Sequence, residues 1–254
     1  MVFSVDKIFD CRLFTSFVNK FYSMQLLKNL FTYLVGLFFV SSAANAQHHS
    51  HNNGSKEDSI KKSSNEYMNQ STLEDLVQRF ESPERDGYQQ PEKVLAYLGN
   101  VKNKKIIDIG AGSGYFSVKL AKVGASVIAA DVSDEFQEYL KRKIEKERIE
   151  NIELRKIPYD SPALSNQEVD IAFMVNTYHH IENRVEYFMK VKSGIKREGE
   201  LVIIDFFKSD VPVGPPIDHK ISIDQVISEL KAAGFTNFSV NVSLLEYQYI
   251  IKAY

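Results

Sequence analysis

Hydrophobic positions along most of this chain alternate between two spacings. Short apolar runs, such as residues 105–109, are followed by stretches in which apolar residues recur every three or four positions, such as residues 114–123. The short runs are typical of buried β-strands, and the wider spacing is typical of amphipathic helices. Strands are predicted at Lys105–Ile109, Ser126–Ala130, Ile152–Ile157, Asp170–Val175 and Glu200–Phe206, and helices at 114–123, 134–148, 183–196 and 222–233.

This alternation predicts an α/β fold whose parallel strands are covered by helices on both faces. The end of the chain differs, because residues 235–254 contain two strand-like stretches that are interrupted near Leu245 without an intervening helix. Two strands joined by a short turn pair antiparallel. We therefore expect seven strands in a mostly parallel sheet that ends in a C-terminal antiparallel hairpin.

Two helices and a loop are predicted before the first strand. Thr72 and Asp75 resemble a capping box, and the apolar residues behind them have helical spacing, at Leu73, Leu76, Val77 and Phe80. Residues 82–93 carry proline and glycine and are predicted to form a loop, and the second helix is predicted to begin near Pro91.

The N-terminal region has the pattern of a secretory signal peptide. Residues 24–46 begin with Met24, carry one lysine at Lys28, continue with an apolar core and end in small residues at Ala46. The apolar core is shorter than the about 20 residues of a spanning helix, so cleavage after Ala46 is favoured over a membrane anchor. We expect Met24 to be the true start and the mature protein to be exported, into the periplasm.

Composition divides the chain into three segments. Residues 1–46 are predicted to be an upstream extension and the signal peptide. Residues 47–71 are rich in His, Ser and Asn, bury too little apolar surface to order, and are predicted to be a disordered linker. The cluster His48–His51 could bind a transition metal, although a polar linker is the simpler interpretation. Residues 72–254 are predicted to be the folded domain.

Charge and cysteine content exclude several classes of function. Without residues 1–46 the chain has 27 Lys and Arg residues against 31 Asp and Glu, a formal net charge of −4. No basic stripe predicts a nucleic-acid partner, and no stable membrane span is expected after cleavage. The single cysteine, Cys11, excludes an intrachain disulfide and a Cys-rich zinc site, and no metal site is expected in the domain.

A glycine-rich loop follows the first predicted strand, in residues 106–117 (IIDIGAGSGYFS). Such a loop brings bare backbone and N–H groups close to a ligand at a helix start. A dinucleotide fingerprint requires a small residue where this chain has Tyr115, and no Gly-Lys-Ser/Thr of a P-loop follows. Asp131 ends the second predicted strand, where an acid can accept both ribose hydroxyls of a nucleoside.

These residues resemble a known family. The segment Asp108–Gly114 is similar to motif I of the class I S-adenosylmethionine-dependent methyltransferases, and Asp131 matches their acidic ribose-binding position. Residues 80–99 and 175–181 (VNTYHHI) resemble a bacterial subgroup of small exported methyltransferases. The resemblance implies a Rossmann-like three-layer sandwich, S-adenosylmethionine as cofactor, and a small-molecule methyl acceptor.

The resemblance also implies which residues bind the donor. The glycines of the loop would contact its amino-acid moiety, Asp131 its ribose, and Asp160 would lie near its adenine. The predicted cofactor-binding residues are Asp108, Gly110, Gly112, Gly114, Asp131, Asp160 and Asn176.

Candidate bases lie where the fourth and fifth predicted strands end. The fourth is followed by His179 and His180, and the fifth ends at Asp205, with His219 in the loop beyond it. Imidazole titrates near neutral pH and can remove a proton from an acceptor, so these three histidines are the predicted catalytic residues. Methyltransferases that act on amino groups carry the signature Asn/Asp-Pro-Pro-aromatic, and Asn176 is not followed by Pro-Pro and an aromatic residue. This difference argues against an amide or adenine nitrogen as acceptor.

Arg85 and Tyr88 lie in the predicted loop before the second helix. They could fold over the donor as a lid, or belong to a solvated connector. Two other functions stay open: a catalytically inactive nucleoside-binding protein of the envelope, and a dehydrogenase on a similar sheet. Tyr115 and the terminal hairpin argue against the dehydrogenase.

Overall fold

A computed structural model describes Asn65 and residues 71–254. The predicted extension, the signal peptide, the cluster His48–His51 and all of the predicted linker except Asn65 and Ser71 lie outside the described residues.

Seven strands form one sheet. Their bounds are β1 Lys105–Ile109, β2 Ser126–Asp131, β3 Ile152–Lys156, β4 Val169–Val175, β5 Ile195–Phe206, β6 Phe238–Asn241 and β7 Gln248–Ala253. The spatial order is β3-β2-β1-β4-β5-β7-β6, and β7 pairs antiparallel with both β5 and β6 while the other pairs are parallel. The predicted mostly parallel sheet with a terminal hairpin is confirmed.

Seven helices accompany the strands in the part of the chain that is described. They are α1 Leu73–Phe80, α2 Pro83–Gln89, α3 Pro91–Leu98, α4 Tyr115–Lys122, α5 Asp134–Glu147, α6 Arg184–Gly194 and α7 Ile223–Ala232. Short 3-10 turns cover Tyr178–His180 and Ile217–His219. None of the described helices has both the length and the apolar character needed to span a bilayer.

The predicted loop at 82–93 is wrong, because most of it is helical. The Ser82 hydroxyl accepts a hydrogen bond from the Arg85 N–H at 3.2 Å, and Pro83 occupies the first helical position of α2. Proline is favoured there because an N–H at the first helical position has no partner within the helix, so its absence costs no hydrogen bond. The punctuation that predicted a loop is therefore a helix start, and Gly87 is tolerated within the helix.

Apolar side chains fill both faces of the sheet, which explains why the strands appear as continuous hydrophobic runs. Ile106 packs in one core and Ile107 in the other, and neither is exposed. From β1 the chain adds β2 and β3 on one edge and then crosses back to add β4 on the other edge of β1, so the strand order reverses at β1. A crevice at the carboxyl ends of such strands is where α/β sheets bind ligands.

Candidate active site

A cavity of about 450 Å³ opens at the carboxyl ends of the central strands. Its walls come from α1 and α2, the glycine loop, the end of β2, the turn after β4 and the loop after β5. The volume lies in the range of small-molecule sites. The predicted site residues that line it are Gly110, Gly112, Asp131, Asn176, His179, His180 and His219.

Asp131 is held at the end of β2 by the glycine loop. One carboxylate oxygen accepts the Gly112 N–H at 2.8 Å, and the other accepts the Ser133 N–H at 2.9 Å. Burial raises the pKa of Asp131 from its ordinary value, and these backbone hydrogen bonds oppose that rise. The carboxylate is thus fixed beside the loop, on the cavity wall.

The three glycines of the loop serve different purposes. A Cβ at Gly110 would overlap the Thr177 side chain, and one at Gly114 would overlap Leu140. Both glycines therefore allow close packing within the protein, and Gly114 does not line the cavity. Gly112 does face it, with a φ of +54°, and a Cβ there would meet only the Phe80 ring, at 3.4 Å. Loop backbone at Gly112, which lines the cavity next to a buried carboxylate, fits a nucleoside with a polar tail.

Two other predicted donor-binding residues lie outside the cavity. Asp108 is buried beneath the loop and accepts the Ser117 hydroxyl at 2.6 Å, and burial raises its pKa to about 6. Asp160 has an exposed side chain that lies 3.6 Å from the Lys190 ammonium. Its neighbour Tyr159 lines the cavity instead.

Asn176 lines the cavity, but its amide belongs to a ring of three side-chain amides. Gln248 donates to the Asn176 oxygen at 2.5 Å, Gln89 donates to the Gln248 oxygen at 2.8 Å, and Asn176 donates to the Gln89 oxygen at 3.4 Å. Gln89 and Gln248 are fully buried. This amide ring joins α2 to the end of β4 and the start of β7.

His179 is paired with Asp205 across the ends of β4 and β5. Its Nδ1 lies 2.9 and 3.0 Å from the two carboxylate oxygens, and its backbone N–H donates to the same carboxylate at 3.3 Å. The Phe206 N–H also donates to Asp205, at 2.8 Å. A carboxylate at Nδ1 favours the tautomer with its proton there, which leaves Nε2 able to accept a proton.

The other two histidines surround this pair. The His180 ring centre lies 4.3 Å from that of His179, and its Nδ1 lies 3.1 Å from the Asn65 side-chain oxygen. Burial, and then the neighbouring His179, lower the pKa of His180 to about 3, so it stays neutral and is a weak base. His219, on its 3-10 turn, lines the cavity as well.

Asp205 is the functional candidate that sequence reasoning noted only as the end of a strand. An acidic residue that closes an apolar run was the available signal, since a buried carboxylate requires a partner. Among the described residues, no group of three or more His, Cys, Asp or Glu side chains is placed to hold a metal ion.

Comparison with known proteins places this geometry in context. Residues 107–203 match the family described as "Methyltransferase domain". A tRNA U34 carboxymethyltransferase of Saccharophagus degradans is 27% identical over 115 residues, which covers 44% of this chain and 35% of that protein. A ubiquinone biosynthesis O-methyltransferase of Acinetobacter baylyi is 24% identical over 106 residues, covering 41% of this chain and 44% of that protein. The matches thus span less than half of these curated relatives.

A solved structure matches over more of the domain. The SAM-dependent methyltransferase from Aquifex aeolicus superimposes with a TM-score of 0.67 at 27% identity, covering 72% of this chain and 98% of that chain. The sheet order, the matched segment and this likeness agree. Residues 107–203 therefore belong to a methyltransferase domain with the fold of the class I enzymes, which use S-adenosylmethionine as cofactor.

Proposed function

We propose that the protein transfers the methyl group of S-adenosylmethionine to a hydroxyl group of a small-molecule acceptor. The observation that carries this proposal is the His179–Asp205 pair, whose histidine lines the same cavity as Gly112 and Asp131. A base that is oriented by a buried carboxylate suits an acceptor that must lose a proton as it is methylated.

The donor side of the proposal uses the glycine loop and the end of β2. Asp131 would accept the ribose hydroxyls, and the backbone at Gly112 would lie along the amino-acid moiety. S-adenosylmethionine supplies an activated methyl group on its sulfonium, so the protein needs only to position the acceptor and remove its proton.

The acceptor side uses the histidine pair. His179 Nε2 would take the proton of the acceptor hydroxyl as the oxygen–methyl bond forms and the sulfur–methyl bond breaks. The products are the methyl ether, S-adenosylhomocysteine and one proton on His179. Asp205 would keep the imidazole in the productive tautomer and stabilise its positive charge.

Charge supports a small acceptor over a nucleic acid. Residues 71–254 contain 24 Lys and Arg residues against 28 Asp and Glu. Among the described residues, the cationic side chains on the cavity wall are Arg79 and Arg85. Binding of tRNA depends on many phosphate contacts by cationic side chains. An acceptor like that of the tRNA-modifying relatives is therefore the second candidate, favoured by their similarity alone.

The proposal also includes location. The signal-peptide pattern in residues 24–46 supports export and cleavage after Ala46. Mass spectrometry of the protein from cell fractions is expected to find a chain that begins at Gln47 outside the cytoplasm. A cytoplasmic chain that retains residues 24–46 would overturn this part of the proposal.

The function is tested by release of S-adenosylhomocysteine from purified protein. The full chain is supplied with S-adenosylmethionine and, separately, periplasmic metabolites, cytosolic metabolites and bulk tRNA. Turnover with a metabolite extract is expected, together with an about 10²- to 10⁴-fold loss of kcat in His179→Gln. His180→Gln in the same turn is expected to lose less than about tenfold, because a side chain with its pKa near 3 is a weak base.

Three outcomes would overturn the proposal. Turnover with tRNA alone would replace the small acceptor by a nucleic acid. Donor binding without turnover in all three mixtures would favour an inactive binding protein. Full activity in His179→Gln would remove the proposed base.

A further inference from the structure

Arg85 places a cation with unused hydrogen-bonding capacity on the cavity wall. Its Nε atom is buried and has no hydrogen-bond partner among the described residues, although the residue as a whole is partly exposed. One terminal nitrogen donates to the Phe80 carbonyl oxygen at 3.1 Å. Among the described carboxylates, Asp108 and Glu81 act on the guanidinium only through space. A planar donor fork thus faces the cavity with donors to spare.

Two aromatic rings hold the Arg85 guanidinium in place. Its central carbon lies 4.1 Å from the centre of the Tyr115 ring and 5.6 Å from that of Phe80. The Tyr115 hydroxyl donates to the carboxylate of Asp86, the next residue of α2. Tyr115 begins α4 directly after Gly114, so these contacts keep the guanidinium beside the glycine loop.

The buried Arg85 guanidinium destabilises the fold unless a ligand accepts its remaining hydrogen bonds. Burial lowers the pKa of Arg85, yet guanidinium stays charged at any pH at which proteins fold. Contacts with aromatic faces offset only part of the desolvation of a cation. The natural complement of a buried guanidinium fork is a carboxylate, which accepts two parallel hydrogen bonds.

We infer that Arg85 binds the α-carboxylate of the amino-acid end of S-adenosylmethionine, with the Tyr115 ring as the surface on which the guanidinium is held. The inference rests on the proposed use of the glycine-loop side of the cavity by the donor. That end of the donor carries its one carboxylate, and the described contacts of Arg85 all lie on this side. Tyr115, which argues against a dinucleotide, thereby gains a role in donor recognition.

The same helix extends toward the acceptor side. Tyr88, one turn after Arg85, packs with its ring centre 6.0 Å from that of Phe206 at the end of β5. The amide ring, through Gln89, fixes the end of α2. Binding of the donor carboxylate by Arg85 would therefore act on a helix that is already anchored.

The test compares two ligands that differ in the amino-acid end. Binding of S-adenosylhomocysteine and of 5′-methylthioadenosine, which lacks that end, is measured by calorimetry on the full chain. Arg85→Gln is expected to weaken S-adenosylhomocysteine about 10- to 100-fold and 5′-methylthioadenosine less than about twofold. Arg85→Lys is expected to lie between, since an ammonium is a point charge without the fork.

Arg79→Gln is the matched control, because Arg79 also lines the cavity but is exposed on α1. It removes the same charge, and it is expected to change both affinities less than about threefold. A second measurement uses the wild-type protein and decarboxylated S-adenosylmethionine. This ligand keeps the amine and the sulfonium but has no carboxylate. It should bind the wild type more weakly than intact S-adenosylmethionine does, by about the factor that Arg85→Gln loses for S-adenosylhomocysteine.

The outcomes separate this inference from the proposed function. An equal loss for both ligands in Arg85→Gln, or wild-type binding of decarboxylated donor as tight as that of the intact donor, would overturn the role of Arg85 alone. Failure of the wild type to bind S-adenosylhomocysteine would overturn the proposed function as well. Binding without turnover would leave the role of Arg85 supported and overturn the proposed methyl transfer.

Discussion

His179 and Asp205 lie 26 positions apart in the chain and meet side chain to side chain, with Nδ1 of the histidine within 3.0 Å of both carboxylate oxygens. Parallel pairing of β4 and β5 sets this distance, because both strands end at the same edge of the sheet. Only 4% of the His179 side chain and 1% of the Asp205 side chain are exposed. The pair is therefore shielded from solvent, where a charge-assisted hydrogen bond is strongest.

Asp205→Asn tests the orienting role of this carboxylate. The amide can donate to His179 Nδ1, which would shift the imidazole proton to Nε2 and remove the base. We expect kcat for the acceptor to fall about 10²- to 10⁴-fold while the Kd for S-adenosylhomocysteine changes less than about threefold. Steady-state rates and calorimetry give the two values. A parallel loss of donor affinity would instead indicate a structural role.

His180 predicts a specific loss of stability in acid. Its pKa is about 3 in the folded protein, against about 6.5 in an unfolded chain, so the unfolded state binds more protons between these values. Stability that depends on neutral His180 is present above pH 6.5 and is lost as the pH falls toward 3. His180→Gln should retain about 1 kcal/mol more per pH unit than the wild type in that window.

Urea unfolding of both proteins at pH 7.5, 6 and 5 measures this difference. The variant and the wild type have the other titrating groups in common, among them Asp108, whose raised pKa works in the opposite direction. The effect of His180 is therefore the pH dependence of the difference in the free energy of unfolding between the two proteins. A difference that stays constant from pH 7.5 to 5 would contradict the pKa of His180.

Gly114 and Leu140 are predicted to be energetically coupled. Gly114→Ala forces a side chain at φ +77° against fully buried Leu140, and we expect a cost of about 2–4 kcal/mol. Leu140→Ala alone should cost about 2–5 kcal/mol. The double variant should be more stable than the sum of both losses predicts, by about 1 kcal/mol or more, because the new methyl group enters the space that Leu140 leaves.

Gly234→Ala is the control for backbone strain. Gly234 has a φ of +97°, and a Cβ there would lie an ordinary 3.6 Å from the Lys192 side chain. It should cost about 1–2 kcal/mol and show no coupling with Leu140→Ala. Strict additivity of Gly114→Ala and Leu140→Ala in the same unfolding assay would refute the overlap.

The amide ring predicts a costly substitution at Gln248. Gln248→Leu leaves the Gln89 donor and the Asn176 acceptor without their partner, at about 2–4 kcal/mol in the free energy of unfolding. Because Gln89 is on α2 with Arg85, binding of S-adenosylhomocysteine should weaken as well. Gln78→Leu, at an exposed position of α1, should change stability by less than about 0.5 kcal/mol. Similar stabilities for the two variants would mean that the ring contributes little.

The order of strands and helices could be predicted because the central strands β1, β2 and β4 and the second half of β5 are buried on both faces. Continuous apolar runs such as Leu201–Ile204 can satisfy their backbone only within a covered sheet. The hairpin could be predicted because residues 235–254 offer no helix between its two strands. The start of β5 at Ile195 could not, since residues 196–200 are mostly polar and, of residues 195–200, only Ile195 and Glu200 pair with β4, on the two sides of a register shift.

Much of the site depends on distant contacts that no local pattern contains. The histidines after β4 could be found because their position at a strand end is visible in the sequence. The partner of His179 could not, because the pairing depends on the alignment of two strands. The helix Pro83–Gln89 could not be predicted, because its proline and glycine are typical of loops, although Ser82 and Pro83 form a regular helix start. The amide ring joins Gln89 to Gln248 across 159 positions.

The position of β7 has a consequence for how the protein is made. β7 lies between β5 and β6, and Gln248 at its start is the residue that holds Gln89 and Asn176. A growing polypeptide can assemble β1 to β5 from short-range crossovers, but α2 finds its last anchor only when residues near 250 have been synthesised. The contact order of the ligand site is thus higher than that of the sheet, and contacts that close long loops form slowly. During refolding, the ability to bind a ligand should therefore be regained more slowly than the compact state forms.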